Sequence, residues 1–306
     1  MGSSRVAVLS LSALVVQNTA LVFAMKYSSR DSAEKYSTAA VVLSCEILKF
    51  IASSVAVFIL EGWNEYVRHV RLLHTRIVLL VPSILYVLQT NLLFVAAESL
   101  SPTVYIVCSQ AKIISTVAFS RVMLGTKVSL KHAFAIAQLV FGVYLVQDNV
   151  HMEKMKSTTP NSTAYGLVSI MLASCTSGFA GVFLEKNFKS GETSMWHTNV
   201  HLSALSLPVS TLLTAMYVMN DDADLFAGFD AVVKTIILLQ TLGGLLTAAI
   251  MKHASAVLKC YAVSMSICLC AVISASTGHE AFGVRRAVGI LLVNVSVSSF
   301  HRASGR

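Results

Sequence analysis

The stretch PTVYIVCSQAKIISTVAFSRVML, from Pro102 to Leu124, is mostly apolar. It is about the length of a membrane span, because roughly 20 residues of helix cross the hydrocarbon core of a bilayer. One charged residue, Lys112, lies near its middle. A lysine at that depth costs about 2.5–3.5 kcal/mol on insertion scales unless it faces protein, water or an anion. Either this segment is not a span, or Lys112 has a partner.

The composition of the whole chain indicates that the segment is a span. Of the 306 residues, 55% are hydrophobic and only 12% are charged, and the mean hydropathy is +0.71. A soluble domain carries roughly 25% charged residues, so the composition indicates a polytopic membrane protein. The first apolar run, Val6 to Met25, lacks a small-residue cleavage site, so we interpret it as a span and not as a removable signal peptide.

The net charge of +8 does not indicate a nucleic-acid-binding protein. Lys and Arg are scattered in short loops beside apolar runs, which is typical of residues that set membrane topology. All six cysteines fall inside apolar segments, and their spacing fits neither a zinc site nor a disulfide framework. The sequence also has no catalytic triad order, HExxH motif or phosphate-cradling glycine-rich loop. We therefore expect no nucleic-acid polymer as a partner, no metal, no cofactor and no enzymatic activity.

Apolar runs separated by charged or turn-forming loops predict an all-α polytopic membrane protein with ten transmembrane helices. The predicted spans are 5–25, 37–60, 77–98, 102–122, 132–148, 163–184, 196–218, 231–251, 255–275 and 283–300.

The predicted spans divide into two halves at the longest polar gap. The sequence VFAMK at the end of span one resembles VFLEK at the end of span six, and LQT recurs in spans three and eight. An odd number of spans in each half makes the repeats inverted, which is a common plan in transporters. We predict a first five-helix repeat at 1–148, a luminal linker at 149–162, a second five-helix repeat at 163–301 and a cytosolic tail at 302–306.

The distribution of basic residues predicts the orientation. With the N-terminus in the cytosol, more Lys and Arg lie on the cytosolic side than on the opposite side. The same topology places Asn161, in the glycosylation acceptor pattern NST, in the lumen. Both termini are therefore predicted to be cytosolic.

Three intramembrane lysines lie on polar stripes. Tyr105, Ser109, Lys112 and Thr116 recur at helical spacing. Lys252 and Lys259 lie about two turns apart, with Ser255 between them and Ser266 beyond. Because neither run contains an acid, an anionic ligand is a better explanation for the lysines than a purely structural role. A lone buried lysine can also lose its proton.

The other intramembrane polar residues have structural alternatives. Glu46 and Lys49 share a helix face three residues apart and are predicted to form a structural ion pair. Gln89, Asn91 and Asn199 place amides inside spans. These amides can bond across helices or recognise the base or sugar of a ligand.

These motifs resemble the signature blocks of the nucleotide-sugar transporter family, in the branch that carries UDP-galactose, UDP-N-acetylglucosamine and CMP-sialic acid. The blocks include VVQNTALVFAMKYSSR, AAVVLSCEILKF, VPSILYVLQTNLLFVA, VYIVCSQAKIISTVAFSRVMLG, SGFAGVFLEKNFK and GGLLTAAIMKHASAVLKCYAVSMSI. The resemblance implies that Lys112 and Lys252 contact phosphate, that Lys259 is the second lysine of its block, and that Tyr105 and Asn199 face the nucleoside. Lys259 is predicted as a third phosphate ligand. The further predicted ligands of the nucleoside or sugar are Gln89, Asn91, Ser109 and Ser255. Ser109 stands where the family usually has tyrosine, and Ser255 stands in place of an acid.

The resemblance implies a Golgi or ER antiporter of the drug/metabolite transporter superfamily. Such a protein imports a UDP-sugar, here UDP-galactose or UDP-N-acetylglucosamine, in exchange for luminal UMP by alternating access. Its partners would be the nucleotide sugar, the nucleoside monophosphate and membrane lipid, and the further candidate partners are glycosyltransferases and a second copy. The alternatives are a carrier of CMP-sialic acid or another nucleotide sugar, a carrier of a different substrate, and a non-transporting scaffold for glycosyltransferases.

Overall fold

The computed structural model of the protein describes residues 2–31, 36–71, 77–100, 102–146, 160–190, 194–221, 225–226, 228–277 and 283–304. These residues form helices and connecting turns, and no strand occurs among them. The helices are α1 (Gly2–Asp31), α2 (Thr38–Glu61), α3 (Trp63–Arg71), α4 (Leu80–Ser99), α5 (Pro102–Ser109), α6 (Ala111–Leu124), α7 (Leu130–Val146), α8 (Pro160–Ser190), α9 (Met195–Asp221), α10 (Ala231–His253), α11 (Ala256–Ser276) and α12 (Val284–Ser304).

The all-helical fold agrees with the prediction, and several helices have the length and composition of membrane spans. Five apolar helical segments in the described residues are long enough to cross a bilayer: Arg5–Met25, Ala39–Glu61, Thr163–Lys189, Ala231–His253 and Ala256–Ser276. Ile77–Tyr86 and Leu130–Val146 are shorter apolar helical segments. The protein therefore fits a multi-pass membrane protein, and ten spans in two inverted repeats stay a prediction. Most of the predicted luminal linker lies outside the described residues.

Helix α3 was not predicted from the sequence. Its sequence WNEYVRHVR is too short and too polar to resemble a span. The Trp63 ring packs edge-on against Phe58, with ring centroids 6.2 Å apart, and against Tyr66 at 5.7 Å. These contacts hold the first turn of α3 against the end of α2.

The predicted fourth span is two helices, α5 and α6, which meet at Gln110. The amide of Ile113 donates to the Gln110 carbonyl at 2.9 Å, three residues back, which is the tighter hydrogen-bond pattern of a 3₁₀ turn. The residues predicted to form one polar stripe, Tyr105 to Thr116, are therefore divided between two helices, and Gln110 between them keeps helical backbone angles of φ −70° and ψ −15°.

The chain folds into two compact units, each built from two stretches of sequence. The first unit contains Met1–Val87 and Asn187–Ala254, and the second contains Leu88–Lys186 and Ser255–Arg306. Each unit therefore takes helices from both halves of the sequence.

In the first unit, α1 packs against α10, and α2 packs against α9 and α10. Gln17 on α1 donates to the Leu239 carbonyl on α10 at 2.8 Å. A Cβ added to Gly243 would stand 2.8 Å from the amide nitrogen of this glutamine side chain, so a larger residue there would displace the Gln17 amide. The Gln17 amide nitrogen is thus satisfied across helices, which the hydrocarbon environment favours.

In the second unit, α7 and α12 are in close contact through two glycines. A Cβ on Gly289 would stand 2.7 Å from the Val146 amide nitrogen and 2.8 Å from the Gly142 carbonyl oxygen. Ser296 donates to the Ala135 carbonyl at 2.6 Å across the same interface. Small residues let membrane helices approach closely. An apolar cluster that includes Ile113, Leu139 and Tyr261 then joins this pair to α6 and α11.

Candidate functional site

Lys112 is the second residue of α6, immediately after the break at Gln110. The backbone amides that open a helix carry partial positive charge and favour anions. Gln110, which occupies the N-cap position, makes no side-chain capping hydrogen bond. The Lys112 ammonium and the start of α6 therefore place positive charge in one region of the second unit.

Lys259 on α11 lies close enough to Lys112 for their like charges to interact. The two helices pack together, with Thr116 Oγ1 3.9 Å from Cys260 Sγ. Within the described part of the chain, neither ammonium group makes a hydrogen bond or an ion pair. Two of the three predicted phosphate-binding lysines are thus brought together, and the arrangement favours a group of opposite charge.

The N-terminus of α11 is held by a residue that the sequence reasoning did not single out. Glu185 on α8 is 2% exposed, and its carboxylate accepts a 2.7 Å hydrogen bond from the Ala256 amide. The Ser255 hydroxyl accepts from the Leu258 amide at 3.2 Å. Ser255, a predicted ligand residue, is therefore a helix cap. Glu185 was missed because acids were sought only within the spans that carry the lysines.

We expect Glu185→Ala to destabilise the second unit, because it leaves the Ala256 amide buried without its acceptor. The loss is about 1–3 kcal/mol for an unsatisfied buried group, measured as a lower unfolding temperature of the detergent-purified protein. Glu185→Gln keeps an acceptor oxygen and should lose less. Glu65→Ala, on the exposed face of α3, serves as a control. Equal unfolding temperatures for Glu185→Ala and Glu65→Ala would contradict the capping role.

Lys252 lies in the last turn of α10, in the first unit. Helix α10 ends at His253, and Ser255 is extended with φ −153° and ψ 159° before α11 begins. Lys252 and Lys259 are therefore on different helices and in different units. The continuous stripe expected from their spacing was wrong, because the N-cap at Ser255 interrupts the helix.

Two of the predicted amide residues have buried polar atoms without a partner. Among the described residues, Gln89 Oε1 in the second unit is buried and accepts no hydrogen bond. Asn199 Nδ2 in the first unit is buried and donates none. Most buried polar atoms in proteins form a hydrogen bond, so these two atoms are candidates for a hydrogen bond with a ligand or with water. The side chain of Asn91, the third predicted amide, lies outside the description, as does that of Asn161.

Tyr105 and Ser109 both belong to α5. Tyr105 is partly buried and packs against the apolar cluster of Ala96, Leu100 and Ile170. Ser109 is the last residue of α5, next to the break at Gln110. The cluster anchors α5, so Tyr105 is held in place by apolar packing.

Glu46 and Lys49 form an ion pair on α2, as their spacing predicts. The Lys49 stem lies against α10, where a Cβ on Gly244 would stand 2.7 Å from Lys49 Cδ. The side chains are only 20% and 15% exposed for Lys49 and Glu46. The glycine gives the lysine stem room beside the helix.

We expect Glu46→Gln to destabilise the first unit more than the double change Glu46→Gln with Lys49→Met. Breaking a buried pair costs about 3–5 kcal/mol, while replacing both partners by neutral groups is often close to neutral. Because both side chains are partly exposed, we expect the loss of stability to lie at the low end of this range. Unfolding temperatures of both single variants and the double variant measure the coupling. Additive losses would contradict a structural pair.

No group of three or more His, Cys, Asp or Glu residues that could hold a metal ion occurs within the described ranges. The six cysteines, all described, are free thiols.

Comparison with known proteins agrees with the chemistry of the site. The nucleotide-sugar transporter family matches residues 2–301. A Caenorhabditis elegans UDP-N-acetylglucosamine/UDP-N-acetylgalactosamine transporter, nstp-4, is 35% identical over 291 residues, covering 87% of this chain and 84% of its own. The rat UDP-N-acetylglucosamine transporter is 34% identical over 289 residues, covering 89% and 87%. The mouse UDP-galactose translocator is 31% identical over 281 residues, covering 88% and 72%.

One solved crystal structure shares the fold. The structural alignment covers 98% of this chain and 99% of the other chain, with a TM-score of 0.72 and 12% sequence identity. The relatives are transporters and not enzymes.

Proposed function

The chain belongs to the nucleotide-sugar transporter family, and we propose that it imports a UDP-sugar into the Golgi lumen in exchange for UMP. UDP-N-acetylglucosamine and UDP-galactose are the favoured substrates, because the relatives include transporters of each. The two five-helix repeats would alternate access to a site near the bilayer midplane, and both termini would be cytosolic.

The observation that carries this proposal is the packing of α6 against α11, which brings the like charges of Lys112 and Lys259 into interaction while neither ammonium group forms an ion pair within the described ranges. Two ammonium groups in a membrane-spanning unit repel each other and lose hydration, so the empty site is costly. A phosphate supplies the missing negative charge and forms charge-assisted hydrogen bonds with both. The same requirement excludes neutral sugars from tight binding.

Obligatory exchange follows from that charge balance. Reorienting an empty cationic site across the membrane carries an electrostatic cost, whereas occupancy by either anion offsets it. UDP-sugar and UMP both carry phosphate, so either permits the conformational change.

The remaining site residues have roles consistent with a nucleotide. Lys252 lies in the first unit, and its phosphate role stays a prediction from the sequence. The unpartnered amide atoms of Asn199 and Gln89 are suited to the edges of a base or sugar. Tyr105 offers an aromatic face to the nucleoside, and Asn91 and Ser109 complete the proposed set.

The function is tested by exchange in proteoliposomes. The full chain is reconstituted, the vesicles are loaded with UMP, and uptake is measured for UDP-, GDP- and CMP-sugars in parallel. We expect uptake of a UDP-sugar that depends on internal UMP. Uptake of CMP-sialic acid alone would show that the protein carries CMP-sialic acid and not a UDP-sugar. Absence of uptake and of nucleotide binding for every substrate would favour a scaffold.

A further inference from the structure

An apolar groove runs along the exposed side of α6 and α7 in the second unit, with a volume of about 750 Å³. Its depression is made by the exposed small residues Ala118, Ala133 and Ala137, and Phe141 and Tyr144 border one end. All lining residues belong to the unit that also holds Lys112 and Lys259. The groove itself lies on the outward side of this helix pair and is separate from the candidate nucleotide site.

Basic groups gather at the other end of the groove. Arg121 lines it and donates from Nη1 to the Val128 carbonyl at 3.3 Å, which holds the guanidinium beside the connection between α6 and α7. Lys127 lies in the same connection and Lys131 lies just after it, and both side chains are exposed. The sequence contains no Asp or Glu between Glu98 and Asp148. This end of the groove is therefore positively charged, and no acid on α5, α6 or α7 offsets the charge.

The length of the groove is similar to that of one lipid acyl chain, which reaches across about half of the hydrocarbon core. From Ala133 to Tyr144, α7 rises by about 16 Å at about 1.5 Å per residue. Half of a hydrocarbon core of about 30 Å is similar. The groove is apolar along its walls, with Arg121, Lys127 and Lys131 at one end and Arg285 5.1 Å from the centroid of the Tyr144 ring at the other. The three basic residues together make the Arg121 end the stronger site for an anionic headgroup.

We propose that the groove binds one anionic phospholipid, with an acyl chain along α6 and α7 and the phosphate and headgroup at Arg121. Basic pockets at the ends of membrane helices select anionic headgroups. The guanidinium has donors beyond the one used for Val128, and its fork geometry suits phosphate oxygens. A second copy is a poorer occupant, because a two-fold interface through this groove would bring the same basic ends into one contact.

The test is native mass spectrometry of the full chain in mixed micelles with equal amounts of phosphatidylserine and phosphatidylcholine. We expect one retained phosphatidylserine per chain in preference to phosphatidylcholine. Arg121→Gln should reduce that preference about fivefold, since one basic contact near the membrane surface is lost. Lys186→Gln, an exposed basic residue at the end of α8 that does not line the groove, should leave it unchanged.

A second variant tests the apolar part of the site. Ala137→Phe fills the groove from an exposed position and should lower retention of both lipids, whereas Ala215→Phe, exposed on α9 outside the groove, should not. Equal retention of both lipids by the unaltered protein, or the same preference in Arg121→Gln, would overturn the proposal. Conversion of a dimer to a monomer by Ala137→Phe with unchanged lipid retention would show that a second copy occupies the groove.

Discussion

Replacing Lys112 by glutamine is expected to reduce UMP-driven uptake of UDP-sugar by at least about 30-fold, because truncating one partner of a buried charge pair costs about 2–5 kcal/mol. The side chain stays similar in length, so α6 keeps its packing, and the change removes the positive charge. The measurement is the initial rate of uptake into proteoliposomes that contain equal amounts of folded protein.

Lys234→Gln is the matched control for this experiment. Lys234 is an exposed lysine in the first turn of α10, and its replacement should leave uptake within about twofold, since surface charges away from a site contribute little. Lys259→Gln should resemble Lys112→Gln because the two ammonium groups act on the same anion. Full uptake by Lys112→Gln would remove the phosphate role.

Gly178→Val is expected to lower both stability and transport. Gly178 lies where α8 crosses α6, and an added Cβ would stand 2.7 Å from the Thr116 amide nitrogen. Ser115 on α6 also donates to the Ser174 carbonyl on α8 at 2.7 Å in the same crossing. A larger side chain must push α6 away, and overpacking of this kind costs about 1–3 kcal/mol or more. Because α6 carries Lys112, the shift should also weaken nucleotide binding.

The control for this change is Ala164→Val, which introduces the same side chain on an exposed position of α8. We expect a lower unfolding temperature and weaker UMP binding only for Gly178→Val. Equal unfolding temperatures for the two variants would show that α6 and α8 are not closely packed at this crossing.

The all-helical fold and the family could be predicted from the sequence because the apolar runs are long and the signature blocks are specific. The lysines were predicted for the same reason, since a charge inside an apolar run such as that around Lys112 is conspicuous. Local spacing also predicted the Glu46–Lys49 pair, because both residues lie on one helix.

Features that depend on tertiary structure could not be predicted. Gln110 itself has helical backbone angles although the helix breaks there. A break of this kind needs no proline or glycine, so the sequence carries no mark of it. Glu185 meets Ala256 across a separation of 71 residues, and only the folded chain brings these residues together. The helix break between Lys252 and Lys259 agrees with the predicted spans 231–251 and 255–275, whereas the division of the two lysines between different units depends on packing that only the folded chain shows.

The most direct test of the central claim is binding of UMP and of uridine to the purified protein, measured by titration calorimetry in detergent for the unaltered chain and for Lys112→Gln. The two ligands differ only in the phosphate. We expect UMP to bind, uridine to bind at least tenfold more weakly, and Lys112→Gln to remove most of this difference. Equal affinities for UMP and uridine in the unaltered chain, or an unchanged preference for UMP in Lys112→Gln, would contradict it.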